Sequence, residues 1–189
     1  MEDLIKKIFD EHISVSNSSK TDLISLINDA GKEILYAINN GKKIILCGNG
    51  GSAADAQHIA AEFTGRFVKE RKALPAIALT TDTSALTAIG NDYGFDKIFE
   101  RQFQALAMPG DILIGISTSG NSENVINAIN CANKLGCYTI GLTGKDGGCM
   151  NQICKSNIII PSKVTARIQE MHILIGHIFC QYVEYELYQ

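Results

Sequence analysis

Residues 44–67 constrain this chain more than any other stretch, because they prescribe a strand, a glycine turn and a helix in direct succession. Ile44 to Cys47 is an apolar run bounded by Lys43 and by glycines, the pattern of a strand buried on both faces. Gly48, Asn49, Gly50 and Gly51 break it, and an alanine-rich helix is expected from Ala53 to Phe63. Ser52 is the expected N-cap, its hydroxyl taking a free backbone N–H of the first turn. A strand that feeds a helix through glycines leaves bare amides where an anion can sit. The same glycines serve equally as a tight connection, since they spell neither a dinucleotide fingerprint nor a lysine-bearing phosphate loop. His58 and Glu62 are four residues apart and share one helix face. They are either a solvated pair or an imidazole and a carboxylate placed for chemistry.

The rest of the chain alternates in the same way. Two helices are expected over residues 3–15 and 20–40, the second carrying the stripe Leu23, Ile24, Leu26, Ile27, Ile34, Leu35 and Ile38, with Gly41 as its stop. Strands follow at Pro75–Leu79, Asp111–Ser117, Cys137–Thr143 and Asn157–Ile160. Helices are expected up to about Gly90, over 96–106, from about Glu123 to Leu135, over 149–154 and over 165–188. Asn91-Asp92-Tyr93-Gly94 has turn composition, and its amide and carboxylate also suit sugar hydroxyls. Strands spaced this way imply a five-stranded parallel sheet between two helical layers, with ligands bound beyond the carboxyl ends of the strands. One domain over 1–189, with 1–40 as a helical lead-in, is the expected organisation.

Ser117-Thr118-Ser119-Gly120-Asn121-Ser122 joins a buried strand to a helix with more hydroxyls than a turn needs. Four hydroxyls and bare amides suit a phosphate monoester, which has several oxygens to satisfy. The last helix is apolar nearly all round, with Ile168, Met171, Ile173, Leu174, Ile175, Ile178, Phe179 and Val183, so it is expected to be buried on more than one side and to meet another subunit. Gln169, His172 and His177 interrupt it. Buried polar groups usually find a partner inside the fold. Gln169 and His177 lie eight residues apart, roughly 12 Å along a helix.

A formal net charge of −3 gives no basic footprint, so no nucleic-acid partner is expected. No apolar run approaches a membrane span, and the acidic, amphipathic start is no signal core. Six cysteines without a CxxC pair read as reduced core residues of a cytoplasmic protein.

Five segments together resemble the phosphoheptose isomerases of the SIS, or sugar-isomerase, family. They are Cys47-Gly-Asn-Gly-Gly-Ser-Ala-Ala-Asp-Ala-Gln-His58, Glu62-Phe-Thr-Gly-Arg66, Asn91-Asp-Tyr-Gly-Phe-Asp96, Ser117–Ser122 and Thr165-Ala-Arg-Ile-Gln-Glu-Met-His172. The resemblance covers nearly the whole chain. It implies a homotetramer with active sites between subunits, the long C-terminal helix at an interface, and isomerisation of a seven-carbon ketose phosphate through an enediol. It implies one zinc per subunit held by His58, Glu62, Gln169 and His177. It implies substrate contacts from Asn49, Gly50, Gly51, Ser52, Glu62, Arg66, Asn91, Asp92, Ser117, Thr118, Ser119, Ser122 and Gln169. Glu62 is the expected base and His177 the expected acid. A carboxylate bound to a metal is a poorer base, which sets the two roles of Glu62 against each other. Non-catalytic tetramers that assist the replication initiator, and enzymes of the same fold for other sugar phosphates, are the competing classes.

Overall fold

The computed structural model describes residues 1–188. The chain runs α1 (Glu2–Asn39), β1 (Ile44–Gly48), α2 (Gly51–Thr64), β2 (Ala76–Ala78), α3 (Thr83–Tyr93), α4 (Ile98–Leu106), β3 (Ile112–Ser117), α5 (Glu123–Lys134), β4 (Tyr138–Gly144), α6 (Met150–Ile153), β5 (Ser156–Ile160) and α7 (Thr165–Leu187), with a single 3-10 turn at Phe95–Lys97 between α3 and α4. All five strands are parallel, in the order β2-β1-β3-β4-β5.

Strands buried on both faces must divide their side chains between two cores, because successive residues point opposite ways. Ile44 and Leu46 face one core with Ile59, Phe63, Ile168, Ile175 and Phe179 of α2 and α7. Ile45 and Cys47 face the other, with Phe99 and Phe103 of α4 and Val125 and Ile129 of α5. Gly115 on β3 is required there, since a Cβ would lie 2.9 Å from Val125 Cγ1. The three-layer architecture is the one expected from sequence.

The chain leaves β1 for β2 on one side and returns to place β3 on the other. Connections that diverge in this way open a crevice at the carboxyl ends of β1 and β3. The glycine turn and the serine loop are the two segments that leave those ends.

Several boundaries differ from the sequence expectation. The lead-in is one helix of 38 residues and not two. Ser16-Asn17-Ser18-Ser19 reads as a linker, yet Val15, Ser19, Leu23, Ile27, Ala30 and Ile34 keep one face toward the core, with Ser19, Leu23, Ala30 and Ile34 fully buried. Ser52 is not an N-cap. Gly50 takes that position with φ 57° and ψ −122°, a conformation only glycine adopts readily, so the helix starts earlier and Ser52 is buried in its first turn. Asn91 and Asp92 do not form a turn but end α3, which stops at Gly94 with φ 99°. All six cysteines are free, and Cys149 is exposed instead of lying in the core.

Candidate active site

The glycine turn and the serine loop meet across the β1/β3 crevice. Asn49 and Asn124 exchange two amide hydrogen bonds, each of 2.9 Å, and so tie the turn after β1 to the first turn of α5. Two amides that satisfy each other, with Asn124 buried and Asn49 half-buried, fix the distance between the loops. In the serine loop, Ser117 Oγ lies 2.9 Å from Ser122 Oγ and 3.5 Å from Ser119 Oγ, and the Asn121 N–H donates to Ser119 Oγ at 3.2 Å. Ser122 is the N-cap of α5, but its hydroxyl turns to Ser117 and caps no amide. Three hydroxyls therefore gather over an uncapped helix start, which is a ready anion site. Thr118 beside them is half-buried.

Gln169 reaches this rim from α7. A Cβ on Gly51 would sit 2.5 Å from Gln169 Nε2, so glycine at 51 is what allows the amide against the turn. Gly48 is held as closely, since its Cβ would lie 2.7 Å from the Ser52 carbonyl oxygen.

Further along the same two helices lies a second cluster. Gly176 brings α7 against α2, because a Cβ there would lie 2.4 Å from Ile59 Cδ1. The neighbours of these two residues, His177 and His58, then face each other with their Nε2 atoms 3.0 Å apart. Glu62 Oε1 is 3.5 Å from His58 Nε2. The Phe67 ring, 5.4 Å from that of His177, closes one side. Glu62 is the more sheltered of the two, its side chain 24% exposed against 51% for His58. One turn before His58, burial pushes the Asp55 carboxyl up while His58 opposes it, and its Oδ2 is buried without a partner.

Two facing imidazole nitrogens need a shared proton or a shared cation, because two lone pairs repel. Nitrogens bound to tetrahedral zinc at 2.0–2.1 Å would lie roughly 3.3 Å apart. His58 and His177 are near that spacing, with a carboxylate oxygen beside them, so the donor set fits zinc in kind. Among the described residues, however, no three His, Cys, Asp or Glu surround one point as a ready metal site. The donors form a chain, and Gln169 stands at Gly51, two helical turns away from His58.

The remaining expected residues are dispersed. Arg66 follows the far end of α2, exposed and 3.7 Å from Glu70. Asn91 donates to Asp92 at 2.8 Å, both on the surface. Beside them a cavity of about 480 Å3 opens from Gly48, Asn49 and Gly50 toward Thr80, Thr87 and Phe95, within the size range of small-molecule sites. His172 takes no part. Its Nε2 meets the Thr143 carbonyl at 3.0 Å, and burial pushes its pKa down to about 4 against that hydrogen bond, so it is neutral at pH 7. Its Nδ1 is buried without a partner. Asn124 and Thr87 escaped sequence reasoning. Asn124 alone carried a signal, as an amide two residues past the serine loop at a helix start.

The SIS domain family model matches residues 9–144. The phosphoheptose isomerase of Aliarcobacter butzleri is 65% identical over 161 residues, covering 85% of each chain. Among solved structures, the phosphoheptose isomerase GmhA from Neisseria gonorrhoeae is 46% identical with a TM-score of 0.92, over 97% of this chain and 98% of its own. A phosphoheptose isomerase from Francisella tularensis is 39% identical with a TM-score of 0.94, over 97% of both chains.

Proposed function

This chain belongs to the phosphoheptose isomerases of the SIS domain family, and from that premise we propose how its residues carry the reaction. The reaction is the isomerisation of D-sedoheptulose 7-phosphate to D-glycero-D-manno-heptose 7-phosphate, a step of heptose biosynthesis. A proton leaves C1 of the ketose and arrives at C2, with an enediol between. That demands a base, a proton donor at oxygen and a stabiliser of developing charge.

The observation that carries the assignment is the chain Glu62–His58–His177, at 3.5 and 3.0 Å. Glu62 takes the C1 proton and returns it to C2 of the enediol. His177 gives a proton to the carbonyl oxygen at C2 and takes one from the hydroxyl at C1. His58 sits between them and holds both in orientation. Ser117, Ser119 and Ser122, with Thr118, bind the phosphate, and Asn49, Gly50, Gly51 and Ser52 shape the neighbouring wall. Gln169 steers a substrate hydroxyl at Gly51. Asn91, Asp92 and Arg66 complete the sugar contacts. Phosphate and reacting carbons are at opposite ends of a seven-carbon chain, which agrees with binding and acid–base groups held in separate clusters.

His58, Glu62 and His177, with Gln169, would hold one zinc ion. When bound it polarises the substrate carbonyl and steadies the enediolate charge. Gln169 joins the other three only by moving its side chain or by serving a site completed by another copy. The assembly proposed is a homotetramer. Its support is the unburied apolar face of α1, where Leu4, Ile5, Ile8, Phe9 and Ile13 are exposed, beside Leu174 and Ile178 on α7. Among the described residues no helix is long and apolar enough to cross a membrane.

Incubation with D-sedoheptulose 7-phosphate and zinc, followed by proton NMR, tests the activity. New aldose anomeric signals are expected. Their absence from a folded, zinc-supplied sample would remove the assignment and favour a binding protein.

A further inference from the structure

The loops after β4 and β5 form a second rim cavity that the reaction as described does not use. It has a volume of about 650 Å3 and is lined by Ser119, Asn121, Lys145, Asp146 and Lys163. Ser119 also belongs to the serine loop, so the cavity opens onto the proposed phosphate site from its outer side. Its floor is rigid. A Cβ on Gly120 would lie 2.0 Å from the Gly147 carbonyl oxygen, and one on Gly148 would lie 2.5 Å from that of Ser119. The Cys149 N–H donates to Asn121 Oδ1 at 2.9 Å, and the Met150 N–H to the Gly120 carbonyl at 3.0 Å.

A backbone contact brings the two lysine-bearing loops together at this mouth. The Lys145 N–H donates to the Ser162 carbonyl at 2.9 Å, which links the loop carrying Lys145 to the residue before Lys163. Lys145 has φ 58°, the only positive φ outside glycine among the described residues. A side chain there carries backbone strain that glycine would not incur. Neither lysine forms an ion pair within the described residues. The one acid in the wall, Asp146, accepts the Gly148 N–H at 3.1 Å. Two uncommitted ammonium groups thus face the outer side of a hydroxyl-lined anion site, on a chain whose net charge is −3 and repels a dianion.

We propose that Lys145 and Lys163 are positioning residues for the substrate phosphate, drawing the dianion into the cavity and delivering it to Ser119. The proposal rests on the reading of Ser117–Ser122 as the phosphate site. A focused positive mouth raises association rates tenfold or more, and the gain falls as salt rises. The lysines touch no reacting carbon, so their effect belongs to capture.

The test is steady-state turnover of D-sedoheptulose 7-phosphate over a range of ionic strength. Lys145→Gln combined with Lys163→Gln is expected to lower kcat/KM about tenfold at low salt, with the loss carried by KM. The dependence of log kcat/KM on salt should flatten, and competitive inhibition by inorganic phosphate should weaken. Lys145→Arg should restore wild-type behaviour. Lys145→Gly relieves the backbone while deleting the charge. It should melt no lower than wild type and still show a raised KM, which a purely structural role for Lys145 would not produce. Ser119→Ala, run alongside, separates the two readings. If it raises KM while the lysine variants leave kcat/KM and the salt slope unchanged, the lysine proposal is overturned and the phosphate site stands. If Ser119→Ala leaves KM unchanged, the phosphate site is lost and this proposal falls with it.

Discussion

At the scale of single residues, the proposed chemistry depends on close approaches that glycines permit. His58 and His177 meet because Gly176 lets two helices touch, and Gln169 reaches the rim because Gly51 has no side chain. His58 is the hinge of the cluster, in contact with both Glu62 and His177. Removing it should loosen metal binding before it removes chemistry. His58→Ala is expected to purify with less than one zinc per chain, by metal analysis, and to regain part of its lost activity when zinc is added. Full activity without bound metal would leave Glu62 and His177 as a metal-free acid–base couple.

At the scale of elements, the segment after α2 is fixed to α7 by one carboxylate. Glu184 accepts the N–H groups of Phe67, Val68 and Lys69 at 2.8, 2.9 and 3.0 Å, and Arg71 Nε at 2.8 Å. Burial works to raise its pKa, but those four donors outweigh it and hold the carboxyl at about 2, against an ordinary 4.5. The folded pKa is the lower one, so the unfolded chain binds the extra proton between these values. The stabilisation is therefore complete above about pH 4.5 and is lost as pH falls toward 2. Glu184→Gln leaves the buried Arg71 with carbonyl acceptors but no carboxylate, and a loss of about 3 kcal/mol at pH 7 is expected from denaturant melts. The variant should also lack this part of the acid dependence.

The same segment shows what a sequence conceals. Periodicity and glycine punctuation were enough for the five strands, their parallel pairing and the rim on which the loops gather, because each strand is a short, mainly apolar run set between helical stretches. They failed at α1, where serines that suit a linker ride on a helix held by its neighbours. They failed at Ser52, because a glycine two residues earlier already turns the chain. The spacing of His58 and Glu62 was visible within one helix. Their meeting with His177 was not, since it depends on the packing of α7 against α2. The two cavity lysines were silent for the same reason, being ordinary polar residues until the loops fold together.

At the scale of the whole molecule, α1 is about 57 Å long at 1.5 Å per residue, and its buried residues all lie from Ser19 onward. Its first half carries apolar side chains with little to cover them. His12 to Glu170, at 2.7 Å, and Arg167 to the Ile8 carbonyl, at 3.3 Å, tie that half to α7. A face of this kind suits an obligate interface, which is large and apolar. Sedimentation at micromolar concentration should show a tetramer, and Phe9→Asp combined with Ile13→Asp should shift it to smaller species. A monomeric wild-type protein would reject the assembly. It would also leave Gln169 to act within its own chain.

In the proposed mechanism Glu62 carries the proton between C1 and C2 while His177 serves the two oxygens. This division of roles is tested most directly by following D-sedoheptulose 7-phosphate by NMR with wild-type protein, Glu62→Gln and His177→Gln, each folded and loaded with zinc. Aldose is expected from the wild type, with a fall in turnover of about 10³-fold or more in either variant, the usual cost of losing a positioned acid or base. A variant that forms aldose within tenfold of the wild-type rate would contradict that mechanism.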